Sequence, residues 1–280
     1  MQQWVFINEN FVAASDAELS YRDLAIQRGY GIFDFFRINN GQPVFIDDHL
    51  DRFYRSADDM HLSVNYTKQE LKVLIEEMIN KNGIINSGIR ITLTGGYSND
   101  GYTLSKPNLI ISQQHFQPCT EEQFDRGIKL MTHNHQRQLS HVKTIDYLMA
   151  IRLQPKLKSI GADDILYHDN GLIRECPRAN FFLITKDNVL VTASKNILKG
   201  ITRMKLLQMQ QSIIPVEERD IHLDEIRSAK EAFITSSTKQ ILPVCQIDEH
   251  VFSGSFPFAR ALNAQLTEVI MQYSNAVDAE

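Results

Sequence analysis

The sequence predicts an α+β protein of two domains. Short apolar runs typical of β-strands alternate with helical segments in both halves, and 280 residues suffice for one large or two medium domains. A polar stretch around Pro118 separates the two halves. We therefore expect a small domain over residues 1–116, a linker over 117–121 and a larger domain over 122–280.

Composition and charge exclude several classes of function. The hydrophobic fraction of 43% and the charged fraction of 22% are ordinary for a soluble globular protein. A net charge of −5 makes nucleic acid and anionic membranes poor partners, and no apolar run approaches the roughly 20 residues of a membrane helix. The beginning of the chain does not resemble a signal peptide, and Cys119, Cys176 and Cys245 form no CxxC pair. We therefore expect a cytoplasmic protein with reduced thiols.

The first half contains strand-like runs and two helical segments. A helix is predicted after Asp47 or Asp48, because the apolar residues that follow recur at helical spacing. A second helix is predicted from Thr67, which has capping-box spacing with Glu70, to the residue before Gly83. The predicted strands of this half are 4–7, 32–38, 44–46, 89–94 and 109–112.

The second half contains a hairpin signal within a mixed pattern. Asn170 and Gly171 form a turn dipeptide between two strand-like runs, which predicts a hairpin over 165–174. Helices are predicted over 147–158, 202–212 and 259–272. The other predicted strands are 128–132, 181–184, 189–191, 215–218 and 232–235.

Three groups in this half could carry chemistry. Lys143 precedes a predicted helix, Glu175 ends a strand of the hairpin, and residues 200–202 (Gly-Ile-Thr) precede the helix near Arg203. Taken alone, each is more often a solvated lysine, a strand-edge carboxylate or an ordinary helix cap. Together they meet the demands of pyridoxal phosphate, which needs a lysine amine, an acid on its pyridine nitrogen and a phosphate site. The hydroxyl cluster at 235–238 could complete the phosphate site.

These segments resemble the fold-type IV pyridoxal-phosphate enzymes, also called class IV aminotransferases. That group contains branched-chain aminotransferases, D-amino acid aminotransferases, (R)-amine transaminases and aminodeoxychorismate lyase. The resemblance extends from Arg28 to Val244. It implies a small α/β N-terminal domain, a larger C-terminal domain with a barrel-like sheet, and a homodimer.

The resemblance also assigns roles to single residues. Arg52 matches an arginine that binds the cofactor phosphate, and Lys143 matches the lysine that binds the cofactor covalently. Glu175 matches the acid on the pyridine nitrogen. The run from Leu198, which matches a residue that packs on the cofactor ring, is similar to the family's phosphate loop. The other residues implied to hold the cofactor are Gly200, Ile201, Thr202, Ser237 and Thr238.

The substrate side departs from the family pattern. Residues 33–38 (Phe-Asp-Phe-Phe-Arg-Ile) replace a Gly-Asp-Gly-Val-Tyr-Glu-like stretch, so Arg37 stands where a tyrosine is common. Arg178 lies where small residues are usual after the pyridine acid. The segment 95–101 lacks the arginine and histidine that bind the α-carboxylate in typical D-amino acid enzymes.

Both arginines suit a carboxylate, since a guanidinium binds it through a bidentate fork. We expect Arg37, Arg178 or both to bind the substrate carboxylate, with Tyr30 also at the substrate. The alternative is that the arginines pair with local acids such as Asp34 or face solvent. His133 and His135 have no third ligand at a familiar spacing, so we expect no metal.

The sequence therefore predicts an aminotransferase that uses pyridoxal phosphate. It would move an amino group between an amino acid, of branched-chain or D-amino acid type, and a 2-keto acid by ping-pong chemistry. A lyase of the aminodeoxychorismate type is an alternative, because it uses the same residues to hold the cofactor. An alternative of another class is a non-catalytic protein that binds pyridoxal phosphate, which the presence of both Lys143 and Glu175 disfavours.

Overall fold

A computed structural model describes residues 2–210, 214–252 and 254–277, which form sixteen strands and seven α-helices. The chain divides into two compact units. Unit 1 comprises Met1–Gln117, Val142–Asp146 and Gln272–Glu280, and unit 2 comprises Pro118–His141 and Tyr147–Met271. The chain first passes from unit 1 to unit 2 at Pro118, within the stretch expected to link two domains.

Unit 1 is built on an antiparallel six-stranded sheet with helices on one face. Its strands are β1 Trp4–Ile7, β2 Asn10–Ala13, β3 Gly31–Asn39, β4 Gln42–Pro43, β5 Ser87–Thr94 and β6 Leu109–Gln114. Its helices are α1 Leu24–Arg28, α2 Ile46–Asp59 and α3 Lys68–Asn82. The strand order is β2-β1-β6-β5-β3-β4, with every neighbouring pair antiparallel.

The apolar faces of α2 and α3 pack against this sheet and form the core of unit 1. Phe36, Leu50, Phe53 and Ile75 are fully buried in that core. The predicted cap of α3 is confirmed, because the Thr67 side chain accepts from the backbone N–H of Glu70, and the Glu70 carboxylate accepts from that of Thr67. The predicted end is confirmed as well, since Gly83 has a left-handed φ of 65°.

The predicted strand at 44–46 is wrong. Phe45 has a left-handed φ of 54° and begins α2 as its cap residue, while the strand at this place is β4, two residues earlier. Phe45 is buried, and its ring packs on Tyr273 with a centroid distance of 4.9 Å. An apolar run buried at a helix start therefore resembled a strand, although Asp47 and Asp48 favoured the first turn of a helix.

The short segment Val142–Asp146 pairs with the edge of β3. The backbone N–H of Phe33 donates to the carbonyl of Lys143 at 3.0 Å, and the N–H of Ile145 donates to the carbonyl of Gly31 at 3.1 Å. Thr144 forms an isolated bridge with Ile32 between them. This pairing is why the segment belongs to unit 1, although its neighbours in sequence belong to unit 2.

Unit 2 contains a ten-stranded mixed sheet and four helices. The longest path of the sheet runs β13-β12-β11-β14-β15-β7-β8-β9, with β10 beside β11 and β16 beside β15. The strands are β7 Ile128–Asn134, β8 Asp164–Asp169, β9 Leu172–Ile173, β10 Glu175–Cys176, β11 Ala179–Ile184, β12 Leu190–Thr192, β13 Val216–Glu218, β14 Glu231–Ser236, β15 Gln240–Ile247 and β16 His250–Val251. The helices are α4 Glu121–Arg126, α5 Leu148–Ile160, α6 Ile201–Gln210 and α7 Pro257–Val277, of which the part up to Met271 belongs to unit 2.

The strands in the middle of this sheet are the most completely buried. Every residue of β11 is buried, and the rings of Phe182 and Phe233 stack at 5.1 Å across β11 and β14. Buried Glu231 accepts from the backbone N–H groups of Phe258 and Ala259 and so caps the start of α7. A sheet core of this kind explains why the apolar runs of the second half predicted strands correctly.

The sequence predictions for unit 2 succeeded best at turns. The hairpin turn is confirmed, with Asn170 and Gly171 at φ values of 49° and 89°. Helix α6 begins one residue before its predicted start, and residues 211–212 of the prediction lie outside the described residues. Strand β15 and the short helix α4 were missed, as were β2 and α1 in unit 1.

Among the described residues, no helix is both long and apolar enough to cross a bilayer.

Gly88 supplies a test of packing on the face of the unit 1 sheet that lies opposite α2 and α3 and carries the Phe35 side chain. A Cβ atom at Gly88 would lie 2.1 Å from Cζ of Phe35. We predict that Gly88→Ala lowers the free energy of unfolding by about 1–3 kcal/mol through overpacking, measured by urea titration. The same substitution in a Phe35→Leu background should cost much less. An equal cost in both backgrounds would show that the phenylalanine ring is not the cause.

Candidate functional site

Glu175 is a buried carboxylate held by donors from several segments of unit 2. It is 4% exposed. Its Oε1 accepts from Nη1 of Arg137 at 3.0 Å, and its Oε2 accepts from the backbone N–H of Leu198 at 2.9 Å. Nδ2 of Asn180 lies 3.4 Å from the same Oε2. A buried carboxylate needs such partners, and these fix its orientation.

Asn180 ties the glutamate to the loop that precedes α6. It stands opposite Glu175 in the β10–β11 pair. Its Nδ2 donates to the carbonyl of Leu198 at 2.7 Å, while its Oδ1 accepts from the backbone N–H of Gly200 at 3.1 Å. One side chain therefore fixes both the acid and the loop.

The start of α6 presents backbone N–H groups that the helix itself does not use. The first residues of any α-helix have no carbonyl one turn earlier, and here these are Ile201 and Thr202. A Cβ atom at Gly200 would lie 2.3 Å from Oδ1 of Asn180, so only glycine allows this close approach. Arg203 anchors the helix by donating to the carbonyl of Ala193 and to Glu218. The arrangement is that of an anion site at a helix N-terminus.

The hydroxyl cluster lies at the turn between β14 and β15. Oγ of Ser236 lies 3.3 Å from Oγ1 of Thr238 and accepts from the backbone N–H of Lys239. Ser237 and Thr238 are half-buried. Oγ1 of Thr235 is fully buried and has no hydrogen-bond partner among the described residues. Thr235 stands directly opposite Asn180 in the β11–β14 pair, so this unsatisfied hydroxyl is on the same face as the side chain that holds the α6 loop.

Lys143 lies in unit 1, beside β3. Its backbone N–H donates to Oγ of Ser56 at 3.4 Å. Its ammonium nitrogen lies 4.5 Å from the centroid of the Phe33 ring, a cation–π distance. The lysine is half-buried, and both its backbone and its side chain are positioned by the same residue of β3, Phe33.

Arg52 is held within a buried charged cluster on α2. Its Nε and Nη2 donate to the two oxygens of Asp34 at 2.8 Å each, which leaves Nη1 outside this bidentate pair. His49 lies 2.6 Å from the same carboxylate through Nδ1, which donates because an ionised carboxylate only accepts. Arg52 is 6% exposed, and Asp34 is fully buried.

The charges of this cluster shift its pKa values. Burial raises the pKa of Asp34, but the charges of Arg52 and His49 outweigh it and hold the pKa well below its usual range. Burial lowers the pKa of His49, which the Asp34 carboxylate partly opposes and which the charges of Arg52 and Lys143 reinforce. The hydrogen bond from the Lys143 backbone to Ser56 places the lysine beside α2, the helix that also carries Arg52.

The three residues expected at the substrate differ in their surroundings. Arg37 is half-buried on β3, and its guanidinium carbon lies 5.1 Å from the centroid of the Phe116 ring. Asp34, considered as a partner of Arg37, pairs with Arg52 and lies on the opposite face of the strand. Arg178 is exposed at the turn between β10 and β11. The hydroxyl of Tyr30 donates to the carbonyl of Met60 at 2.9 Å.

Each unit therefore gathers part of the expected set. Unit 2 brings together Glu175, Leu198 and Gly200 through Asn180, and it carries the start of α6. Unit 1 brings the backbone of Lys143 against α2, the helix that carries Arg52. The supporting residues Arg137, Asn180 and Asp34 were not predicted as site residues, because their roles consist of contacts between segments far apart in sequence.

The residues present fit pyridoxal phosphate. The start of α6, the glycine before it and the unsatisfied Thr235 hydroxyl suit a phosphate, and the carboxylate of Glu175 suits a protonated pyridine nitrogen. Among the described residues, no group of three or more histidine, cysteine, aspartate or glutamate side chains could hold a metal ion.

Comparison with known proteins agrees with this chemistry. The family profile described as Amino-transferase class IV matches residues 31–247. A D-alanine aminotransferase of Listeria monocytogenes serotype 4b (strain F2365) is 31% identical over 281 residues, which cover 96% of both proteins. This chain belongs to the class IV aminotransferases. It is a pyridoxal-phosphate-dependent aminotransferase, as the sequence predicted.

Solved structures give the same fold. The branched-chain amino acid aminotransferase of Escherichia coli aligns with a TM-score of 0.89 at 21% identity, covering 96% of this chain and 95% of that one. A putative 4-amino-4-deoxychorismate lyase from Legionella pneumophila aligns with a TM-score of 0.83 at 26% identity, covering 91% of this chain and 96% of that one. The predicted fold-type IV architecture, with a curled sheet in the larger part, is confirmed.

The Asp34 cluster gives a pH-dependent prediction. Replacing Asp34 by asparagine leaves the buried Arg52 charge unpaired, so we expect a loss of about 3–5 kcal/mol in unfolding free energy at pH 7. The folded pKa of Asp34 is depressed, so its stabilisation is complete above its ordinary value of 3.8 and is lost as pH falls through the folded pKa. The difference between wild type and variant should therefore shrink below about pH 4.

The measurement is urea unfolding at a series of pH values. Asp51→Asn is the matched control, because Asp51 forms a largely exposed pair with Lys68 and should cost less than about 1 kcal/mol. An Asp34→Asn cost equal to that of Asp51→Asn would contradict the role assigned to the buried cluster.

Proposed function

We propose that this aminotransferase moves amino groups between D-amino acids and 2-keto acids. The D-alanine aminotransferases that resemble the chain along nearly its whole length support this choice. The observation that carries the chemistry is the buried Glu175 carboxylate, held by Arg137 and by the loop before α6. Branched-chain amino acids are the second candidate substrates, supported by the resemblance in sequence pattern.

We assign the cofactor to a defined set of residues. Lys143 provides the amine, and Glu175 keeps the pyridine nitrogen protonated. Leu198 packs on the ring. The phosphate is held by Arg52, Gly200, Ile201, Thr202, Ser237 and Thr238. Two observations support this assignment. The backbone N–H groups at the start of α6 have no partner within the helix, and Nη1 of Arg52 takes no part in the bidentate pair with Asp34.

The reaction uses these residues in fixed roles. Bound pyridoxal phosphate supplies a ring that withdraws electrons from the α-carbon of the substrate. Nζ of Lys143 takes the proton from that carbon and later returns a proton, as a general base and then a general acid. The Phe33 ring beside this nitrogen shields one side of it from water. Arg37, Arg178 or both bind the substrate carboxylate, and Tyr30 lies beside the substrate.

A lyase of the aminodeoxychorismate type is the alternative reaction. The putative lyase from Legionella supports it, since its identity to this chain is 26%. A lyase needs no keto-acid acceptor, whereas an aminotransferase stops after one half-reaction without it. A non-catalytic pyridoxal-phosphate protein would show the cofactor spectrum and no half-reaction.

We further propose that the protein is a cytoplasmic homodimer. Sedimentation equilibrium would test its oligomeric state.

The deciding experiment is a panel of half-reactions. The protein is mixed with D-alanine, D-glutamate, L-leucine, L-valine or (R)-phenylethylamine, and the cofactor absorbance is followed. We expect conversion with the D-amino acids, and a second conversion when a 2-keto acid is added. Conversion with L-leucine and L-valine only would contradict the proposal and show that branched-chain amino acids are the substrates.

Lys143→Ala provides the matching variant. We expect it to abolish the half-reaction by at least about 10³-fold, because no other amine would move the proton at the α-carbon. Lys106→Ala is the control, since Lys106 is an exposed lysine of the same unit. Retention of the half-reaction in Lys143→Ala would contradict the role of Lys143 in moving the proton at the α-carbon.

A further inference from the structure

The chain contains two hairpins whose turns have the same sequence and the same conformation. Asn40 and Gly41 join β3 to β4, and Asn170 and Gly171 join β8 to β9. Both asparagines have a left-handed φ of 49°, and the two glycines have φ values of 85° and 89°. In each turn the asparagine is exposed, and no atom lies within 4 Å of where a Cβ atom of the glycine would be. The two turns therefore differ in their surroundings and not in themselves.

An asparagine followed by glycine is especially prone to deamidation. The backbone nitrogen of the glycine attacks Cγ of the asparagine and closes a five-membered succinimide ring, and glycine has no side chain that hinders this attack. The nitrogen is a poor nucleophile while it carries its proton, so a base that accepts this proton accelerates the step. The partner of the glycine N–H therefore decides which of the two turns reacts faster.

In the second turn, this partner is a histidine. The backbone N–H of Gly171 donates to Nδ1 of His168 at 3.3 Å, so this ring nitrogen carries no proton and is able to take one. Burial lowers the pKa of His168, an effect that the charges of Asp248 and Asp169 oppose. The imidazole is therefore mostly neutral at neutral pH and can act as a base.

In the first turn, the partner is a backbone carbonyl. The N–H of Gly41 donates to the carbonyl of Ile85 at 2.8 Å. A carbonyl oxygen accepts a hydrogen bond but is far too weak a base to take the proton. The N–H of the first turn residue meets an asparagine side chain in both hairpins, Asn86 in one and Asn134 in the other. The order of the turns therefore slows both sites alike, and the base distinguishes them.

We infer that Asn170 is a site of intramolecular deamidation in which His168 acts as the base. Nδ1 of His168 takes the proton from the Gly171 nitrogen, this nitrogen bonds to Cγ of Asn170, and the bond from Cγ to Nδ2 breaks. Nδ2 leaves as ammonia with the proton that the histidine took up. Water then opens the succinimide ring at one of its two carbonyl groups, which gives aspartate or isoaspartate at position 170.

The product changes the hairpin that leads into Glu175. Nδ2 of Asn170 donates to Oδ1 of Asp169 at 2.9 Å, whereas the carboxylate that replaces it has no proton to donate and repels Asp169. Isoaspartate also lengthens the main chain of the two-residue turn by one atom, which opposes the register of β8 with β9 on either side of it. The modification therefore destabilises this hairpin.

The test follows both asparagines in the same sample. The holoenzyme is incubated near neutral pH and digested, and mass spectrometry of its peptides detects the replacement of an amino group by a hydroxyl group. We expect deamidation at Asn170 to be at least about tenfold faster than at Asn40. In urea, where neither turn is formed, the two rates should be similar. Equal rates in the folded protein would overturn the inference.

His168→Asn tests the base directly. Oδ1 of an asparagine accepts the same N–H from nearly the same position as Nδ1 of histidine, but it is not basic. The variant should lower the rate at Asn170 to about that at Asn40 and leave the rate at Asn40 unchanged. His250→Asn is the matched control, because His250 is half-buried like His168, lies on β16 of the same unit and should change neither rate.

An unchanged rate at Asn170 in His168→Asn would overturn the role of the histidine. The comparison of the two asparagines in the wild type needs no variant, so it decides the inference even where His168→Asn does not fold.

Discussion

The pairing of a five-residue segment with the edge of β3 is the constraint on which the position of Lys143, the proposed catalytic lysine, depends. Val142–Asp146 lies between stretches of unit 2, yet hydrogen bonds from Phe33 and Ile145 join it to the unit 1 sheet. Backbone hydrogen bonds fix position more firmly than a long flexible side chain can. Lys143 therefore starts from an anchored backbone, and the Phe33 ring restricts its amine further.

Preorganisation by neighbouring side chains recurs at the other charged groups. Glu175 is oriented by Arg137, Asn180 and the Leu198 N–H, while Asp34 holds Arg52 through two parallel hydrogen bonds. Such partners matter in a buried setting, where an unpaired charge costs several kcal/mol. They also fix geometry before any ligand binds, which reduces the free energy spent on ordering.

The sequence predicted the parts of the molecule that depend on local patterns. Turns such as Asn170-Gly171 and the capping box at Thr67 have short-range physical causes and were found. The family motifs led to the cofactor because pyridoxal phosphate needs particular residue types. The start of α2 was mistaken for a strand, since burial of Phe45 depends on Tyr273, far away in sequence. The partners of Glu175 and the contact of the Phe33 ring with Lys143 were missed for the same reason: sheet register and long-range contacts are absent from a single sequence.

The most direct test of the account is borohydride reduction of the holoenzyme followed by mass spectrometry of its peptides. Borohydride makes the bond between cofactor and lysine permanent. The account predicts the pyridoxyl adduct on the peptide that contains Lys143. An adduct on another lysine, or its absence from protein that carries the cofactor, would contradict it.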